Sequence, residues 1–148
     1  MTPVEGSTPI SSKSYWITRF LILRLLGGVY AIAFLVATRQ LIPLVGENGL
    51  TPARTFLDRA YEHFGSTWPA FAAFPSVFWL NHSDLALQLV SWTGLVLGCV
   101  VLAGYANALM MFVLWALYLS IVHIGQRWYG YGWEIQLTET GFLAIFLC

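Results

Sequence analysis

The sequence predicts an all-α, polytopic membrane protein with about four transmembrane helices. Two observations carry this prediction. Hydrophobic residues make up 58% of the 148 residues and charged residues only 9%, whereas a soluble domain carries about 25% charged residues. In addition, residues 85–126 contain no Asp, Glu, Lys or Arg. As a helix this run would extend about 63 Å, enough to cross a hydrocarbon core of about 30 Å twice.

The charge balance excludes other classes of protein. Seven basic residues match seven acidic residues, so the net charge is zero. A nucleic-acid-binding surface needs an excess of basic residues, and an acidic tail needs the opposite excess. The expected partner is therefore the lipid bilayer, and no nucleic acid. Cys99 and Cys148 lie within apolar runs, which indicates buried free thiols and not a disulfide framework.

We place the four spans at residues 16–37, 84–104, 107–125 and 134–148. The second and third spans share the uncharged run, and Gly104 and Asn107 provide the break between them. Ser83 and Asn107 are expected to cap the helices that follow them. The last span would be only about 22 Å long, short of the bilayer thickness. We therefore interpret residues 1–148 as the N-terminal transmembrane domain of a longer chain.

The long connection between the first two spans is expected to lie at the membrane interface over residues 53–80. Residues 53–64 fit an amphipathic helix with one apolar face, and the polar residues lie on the other sides of the helix. That face consists of Phe56, Leu57, Ala60, Tyr61 and Phe64. The segment that follows is rich in aromatic residues and contains Pro69 and Pro75, so it suits an interfacial aromatic belt better than a span.

Two ionisable residues fall within the predicted spans, Arg24 and Glu139. Charges at membrane depth are usually paired or functional. Either the two residues pair, or Arg24 extends to the headgroups and Glu139 is hydrogen-bonded inside the bundle. Gln136, Glu139 and Thr140 recur at helical spacing and are predicted to face inward, towards a cavity or a neighbouring helix. Glu134 begins the helix and is expected to remain in water.

A loop rich in aromatic residues and glycine joins the last two spans. It is either an interfacial anchor or a shaped binding surface. The candidate binding residues on the polar face and in this loop are Arg24, Gln126, Trp128, Tyr129, Trp133, Glu134, Gln136, Glu139 and Thr140. The three histidines lack metal-ligand spacing, and no catalytic residue, metal site or cofactor is expected.

Three strings of residues carry a resemblance to a known family. The first is Phe78-Trp79-Leu80. The second lies in residues 106–120 and contains the motifs Ala-Asn-Ala-Leu-Met and Leu-Trp-Ala-Leu-Tyr-Leu-Ser. The third is residues 132–143, Gly-Trp-Glu-Ile-Gln-Leu-Thr-Glu-Thr-Gly-Phe-Leu. Together they resemble the lipase maturation factor family, over nearly the whole chain beyond residue 18. The resemblance extends to the first span and to the turn at residues 46–52.

The resemblance implies a chaperone-like, non-catalytic membrane factor that helps secreted lipases fold and assemble. It implies a location in the endoplasmic reticulum membrane in a eukaryote, or in the plasma (inner) membrane in a bacterium. Lipase clients would be bound through regions absent from this chain, and no enzymatic activity or cofactor is implied. Two alternatives stay open from the residues themselves: a small four-helix oxidoreductase subunit of the DoxX kind, and a transporter module using Arg24, Gln136 and Glu139.

Overall fold

A computed structural model describes residues 13–148, and this part of the chain contains six α-helices, one short 3-10 helix and no strand. The helices are α1 (Lys13–Val45), α2 (Ala53–Phe64), α3 (Thr67–Ala73), the 3-10 helix (Val77–Trp79), α4 (Asp84–Ala103), α5 (Ala108–Ile124) and α6 (Gly132–Leu147). The prediction of an all-α fold is confirmed.

The first helix is longer than predicted. It continues past residue 37 to Val45. The reason is packing: Ala37, Leu41 and Val45 lie one turn apart and are each only 1% exposed, so the buried face of α1 extends to its end. The chain then turns at Gly46, and the Glu47 amide donates a hydrogen bond of 2.8 Å to the Asp84 carboxylate at the start of α4.

The centre of the fold is the antiparallel pair of α1 and α4. Small residues allow the two backbones to approach closely, as in many membrane helix pairs. A Cβ atom added to Gly98 would lie 2.8 Å from the Ala31 amide nitrogen, and one added to Gly27 would lie 2.7 Å from the Leu102 amide nitrogen. Both contacts are with backbone atoms, so the glycines set the distance between these helices.

Two helices in the described part of the chain are long and apolar enough to cross a membrane, Tyr15–Val45 and Asp84–Ala103. α5 is apolar but shorter, with 17 residues, and the count of four spans stays a prediction. Both predicted caps are confirmed. The Ser83 hydroxyl accepts a hydrogen bond from the Ala86 amide at 3.3 Å, and the Asn107 side chain accepts one from the Met110 amide at 2.8 Å.

The connection between α1 and α4 contains the amphipathic helix predicted at residues 53–64. Its buried residues are Ala53, Leu57 and Ala60, whereas Tyr61 is 49% exposed and Phe64 39% exposed. The other described helices therefore cover only part of the apolar face.

The segment after α2 is attached to α5 by polar contacts. The Ser76 hydroxyl donates to the Ser120 carbonyl at 3.3 Å, and the Val77 amide donates to the Ser120 hydroxyl at 3.0 Å. The His123 ring nitrogen Nδ1 lies 2.8 Å from the Pro75 carbonyl oxygen. These contacts hold the aromatic segment against the end of α5 that leads into the aromatic loop.

Candidate functional site

The aromatic loop between α5 and α6 is fastened to the start of α2. Gln126 adopts a φ of +48°, which turns the chain sharply as it leaves α5. Its side-chain amide donates to the Thr51 carbonyl at 3.3 Å, and the Trp128 indole donates to the Thr51 hydroxyl at 3.0 Å. Two of the predicted site residues therefore hold the loop in one position, while Trp133 is half exposed beside them.

Tyr129 is the residue of this loop that enters the protein. It is only 5% exposed, and it packs directly on Gly125, where an added Cβ would lie 2.5 Å from the Tyr129 Cβ. Burial, together with the neighbouring Glu134 carboxylate, raises the pKa of the Tyr129 phenol to about 12. The phenol is therefore neutral at physiological pH and able to donate a hydrogen bond.

Glu134 is buried, and the prediction that it remains in water is wrong. Its side chain is 3% exposed, and its Oε2 atom has no hydrogen-bond partner among the described residues. The buried face of α6 consists of Glu134, Leu137, Gly141 and Ala144. These positions follow the helical period and pack towards α5 and α1. The acidic residue inside the protein is thus the one at the start of the helix.

The predicted inward face of α6 is exposed. Gln136, Glu139 and Thr140 all point away from the other described helices. Positions 136, 139 and 140 do share a side of the helix, as predicted, but it is the side opposite Leu137 and Gly141. Small side chains on the Gly141 face allow α6 to approach Tyr30 of α1, which decides the orientation of the helix.

The predicted pair of Arg24 and Glu139 is not formed. The Arg24 guanidinium donates to the Ala103 carbonyl at 2.7 Å and lies 4.7 Å from the centre of the Phe20 ring. Ala103 is the last residue of α4, so Arg24 lies at the end of the α1–α4 pair and not in the middle of a span. The open carbonyls at a helix C-terminus favour a positive charge there.

Tyr118 and Tyr129 lie close to Glu134, and Tyr30 packs against Tyr118. Tyr30 of α1 donates to the Leu137 carbonyl at 3.3 Å, and its ring meets that of Tyr118 of α5 edge to face, with 5.7 Å between ring centres. The phenol oxygens of Tyr118 and Tyr129 are buried without a hydrogen-bond partner among the described residues, like Glu134 Oε2. We call Tyr118, Tyr129 and Glu134 the acid–tyrosine cluster.

A cavity of about 400 Å³ opens from this cluster to the surface. Glu134 and Tyr129 form its inner part, and Trp128, Arg39 and Gln40 surround its mouth. The apolar wall is formed by Val36, Pro43 and Leu44 of α1. Arg39 and Gln40 are exposed and make no side-chain hydrogen bond or ion pair among the described residues. A buried acid, one neutral phenol and a free guanidinium thus share one cavity, an arrangement suited to binding a polar ligand.

Sequence reasoning missed Tyr30, Tyr118 and Arg39. Tyr118 lies in the middle of an apolar run, whereas tyrosines of membrane proteins are enriched at the interfaces. A phenol so far from a span end needs a partner inside the protein. The position of Tyr118 within an apolar run is therefore a sequence signal for a buried polar site. The predicted first span ends at residue 37, which leaves Arg39 in the connection that follows it.

Two helices that are long and apolar enough to cross a membrane indicate a helical integral membrane protein. Residues 17–148 match the lipase maturation factor transmembrane domain. The chain is 45% identical to lipase maturation factor 1 of Bos taurus over 145 residues, which cover 94% of this chain and 26% of that protein. It is 44% identical to lipase maturation factor 1 of Mus musculus, over 98% of this chain and 26% of that protein.

The relation extends to the second branch of the group. Lipase maturation factor 2 of Homo sapiens is 30% identical over 86% of this chain and 18% of its own length. The chain belongs to the lipase maturation factor family, as the resemblance of its motifs predicted. It spans about a quarter of the length of the lipase maturation factor 1 proteins that it matches. No solved structure matches it.

Proposed function

We propose that this chain is the membrane-embedded part of a lipase maturation factor, which assists the folding and assembly of secreted lipases without catalysing a reaction. The observation that carries the proposal is its 41–45% identity to lipase maturation factor 1 of three mammals over nearly the whole chain. In a eukaryotic cell we place the protein in the endoplasmic reticulum membrane, where secreted lipases fold. Lipase clients would contact regions beyond those in this chain.

The site supports a role in binding. Its acid–tyrosine cluster offers hydrogen-bonding groups and one carboxyl group, but places no nucleophile beside a general base. Cys99 and Cys148 are both free, and Cys99 is exposed on the outer side of α4. Neither thiol belongs to the cavity. These features favour a maturation factor over the thiol-based oxidoreductase alternative.

A domain exchange tests the proposal. In mouse lipase maturation factor 1, the region that aligns with this chain is replaced by the chain itself, and the chimera is expressed in mouse cells that lack the native factor and secrete a lipase. We expect lipase activity per mass of secreted lipase to return to a large part of the value given by the mouse factor. Microscopy of the tagged chimera should place it in the endoplasmic reticulum.

The control is a chimera carrying Gly27→Leu, which forces a bulky side chain against the backbone of α4 at Val101 and Leu102 and should lower both folded protein and lipase activity. A chimera that accumulates to the normal level in the membrane and yet leaves the secreted lipase inactive would contradict the proposal.

A further inference from the structure

The cavity beside the acid–tyrosine cluster lies where a lipid headgroup would be. Its outer wall is the last turns of α1, from Val36 to Leu44, and its inner part is the first turn of α6 at Glu134. α4 begins at the same level, since its Asp84 contacts Glu47 just beyond α1. Helices of the bundle therefore end or begin around the cavity, which places it near the boundary between hydrocarbon and headgroups.

The cluster has hydrogen-bonding capacity that the described residues do not fill. A buried polar atom that is left without a hydrogen-bond partner lowers the stability of the fold. Glu134 Oε2 and the phenol oxygens of Tyr118 and Tyr129 are three such atoms. Two of the three residues, Glu134 and Tyr129, line the cavity, so a ligand in the cavity lies beside both side chains.

The cavity also separates an acidic side chain from a basic one. Glu134 lies in its inner part, and Arg39 lies at its mouth, and the two are not within ion-pair distance of each other. The indole of Trp128 at the mouth and the ring of Tyr129 further in provide aromatic faces, which attract cations. A ligand that matches this pattern carries an ammonium group at one end and an anionic group a short distance away.

We propose that this cavity binds the headgroup of phosphatidylethanolamine, with the ammonium group on Glu134 and Tyr129 and the phosphate on Arg39. The primary ammonium supplies N–H donors for the Glu134 carboxyl group, and a quaternary choline has none. A guanidinium binds phosphate through paired hydrogen bonds. Val36, Pro43 and Leu44 then accommodate the start of an acyl chain. This lipid site does not depend on a lipase client and goes beyond the proposed function.

The test uses the purified chain in dodecyl maltoside micelles, to which palmitoyl-oleoyl phosphatidylethanolamine, phosphatidylcholine or phosphatidylglycerol is added. Native mass spectrometry counts the bound lipid, and the unfolding midpoint reports stabilisation by binding. We expect phosphatidylethanolamine to bind at least about tenfold more tightly than the other two, and Glu134→Gln and Arg39→Gln each to weaken it about tenfold. A tenfold change corresponds to about 1.4 kcal/mol.

Matched controls are Glu139→Gln, which neutralises an exposed acid on the same helix, and Arg59→Gln, which neutralises an exposed arginine of α2. Both should bind the lipid like the parent chain. Arg39 is exposed, so its variant keeps the test valid if the Glu134 variant fails to fold.

Three results would overturn the proposal. Equal binding of all three lipids would indicate an unspecific lipid annulus. Unchanged binding to the folded Arg39→Gln variant would exclude the headgroup from this cavity. Stabilisation by a lysine-rich peptide but not by phosphatidylethanolamine would assign the cavity to a protein partner.

Discussion

The contact between α1 and α4 can be tested with two neighbouring glycines of the same helix. A Cβ atom added to Gly27 would lie 2.7 Å from the Leu102 amide nitrogen and 3.0 Å from the Val101 carbonyl carbon. A Cβ added to Gly28 would meet only the end of the Leu102 side chain, at 3.5 Å. The first distance forces one helix to shift, and the second is an ordinary van der Waals contact.

The expected changes in the free energy of unfolding follow from two opposing effects. Replacing a helical glycine by alanine stabilises the helix by about 0.8–1 kcal/mol, whereas overpacking a close contact costs about 1–3 kcal/mol. Gly28→Ala has only the gain. Gly27→Ala has both the gain in helix propensity and the cost of overpacking. That cost lies towards the upper end of its range because the atoms that must move belong to the backbone. We therefore expect Gly27→Ala to be less stable than Gly28→Ala by about 2–3 kcal/mol.

The assay is thermal unfolding of the two purified variants in the same detergent, followed by tryptophan fluorescence. At about 2–4 °C per kcal/mol for a chain of this size, the midpoint of Gly27→Ala should lie about 4–12 °C below that of Gly28→Ala. Equal midpoints would refute the conclusion that backbone contact at Gly27 sets the distance between α1 and α4.

Three further predictions concern the caps, the loop and the outer face of α6. Asn107→Ala removes the bond to the Met110 amide and should cost about 1 kcal/mol, seen as a lower unfolding midpoint; an unchanged midpoint would contradict the cap. Thr51→Val leaves the Trp128 indole without its partner and should speed amide hydrogen exchange in residues 125–131 but not in α4, so uniform exchange would argue against a local anchor. Glu139→Leu should change the midpoint equally in the parent and in an Arg24→Leu background, because the two charges are not in contact; a smaller loss in the second background would restore the pair.

Most helix positions could be predicted from the sequence because the signals for them are local. The uncharged run contains α5 and all of α4 after Asp84. The side chains of Ser83 and Asn107 mark the starts of these helices by accepting hydrogen bonds from amides only a few residues ahead. The amphipathic helix at 53–64 was predicted in the same way, from the spacing of its polar residues. In each case the information lies within one or two helical turns.

The end of α1 and the composition of the site required contacts between distant residues. Helix α1 continues to Val45 because Leu41 and Val45 are buried by other helices, which no local charge pattern indicates. The acid–tyrosine cluster likewise combines α5, the loop and α6. Its members are separated by up to sixteen positions in sequence, from Tyr118 to Glu134 (134 − 118 = 16), and nothing in their spacing links them.

The sequence by itself determined that α6 is a helix with polar residues on one side, and the tertiary structure decided which side is inside. Lipid cannot bond to polar groups, and this argument placed Glu139 inside. The packing reversed the result, because α6 approaches α1 at Gly141, where the Tyr30 hydroxyl occupies the space that a side chain would take. Glu134 lies on the same face of α6 as Gly141 and is buried with it, while Glu139 is turned outward. The size of one residue, and not the polarity of its neighbours, determined the orientation of the helix.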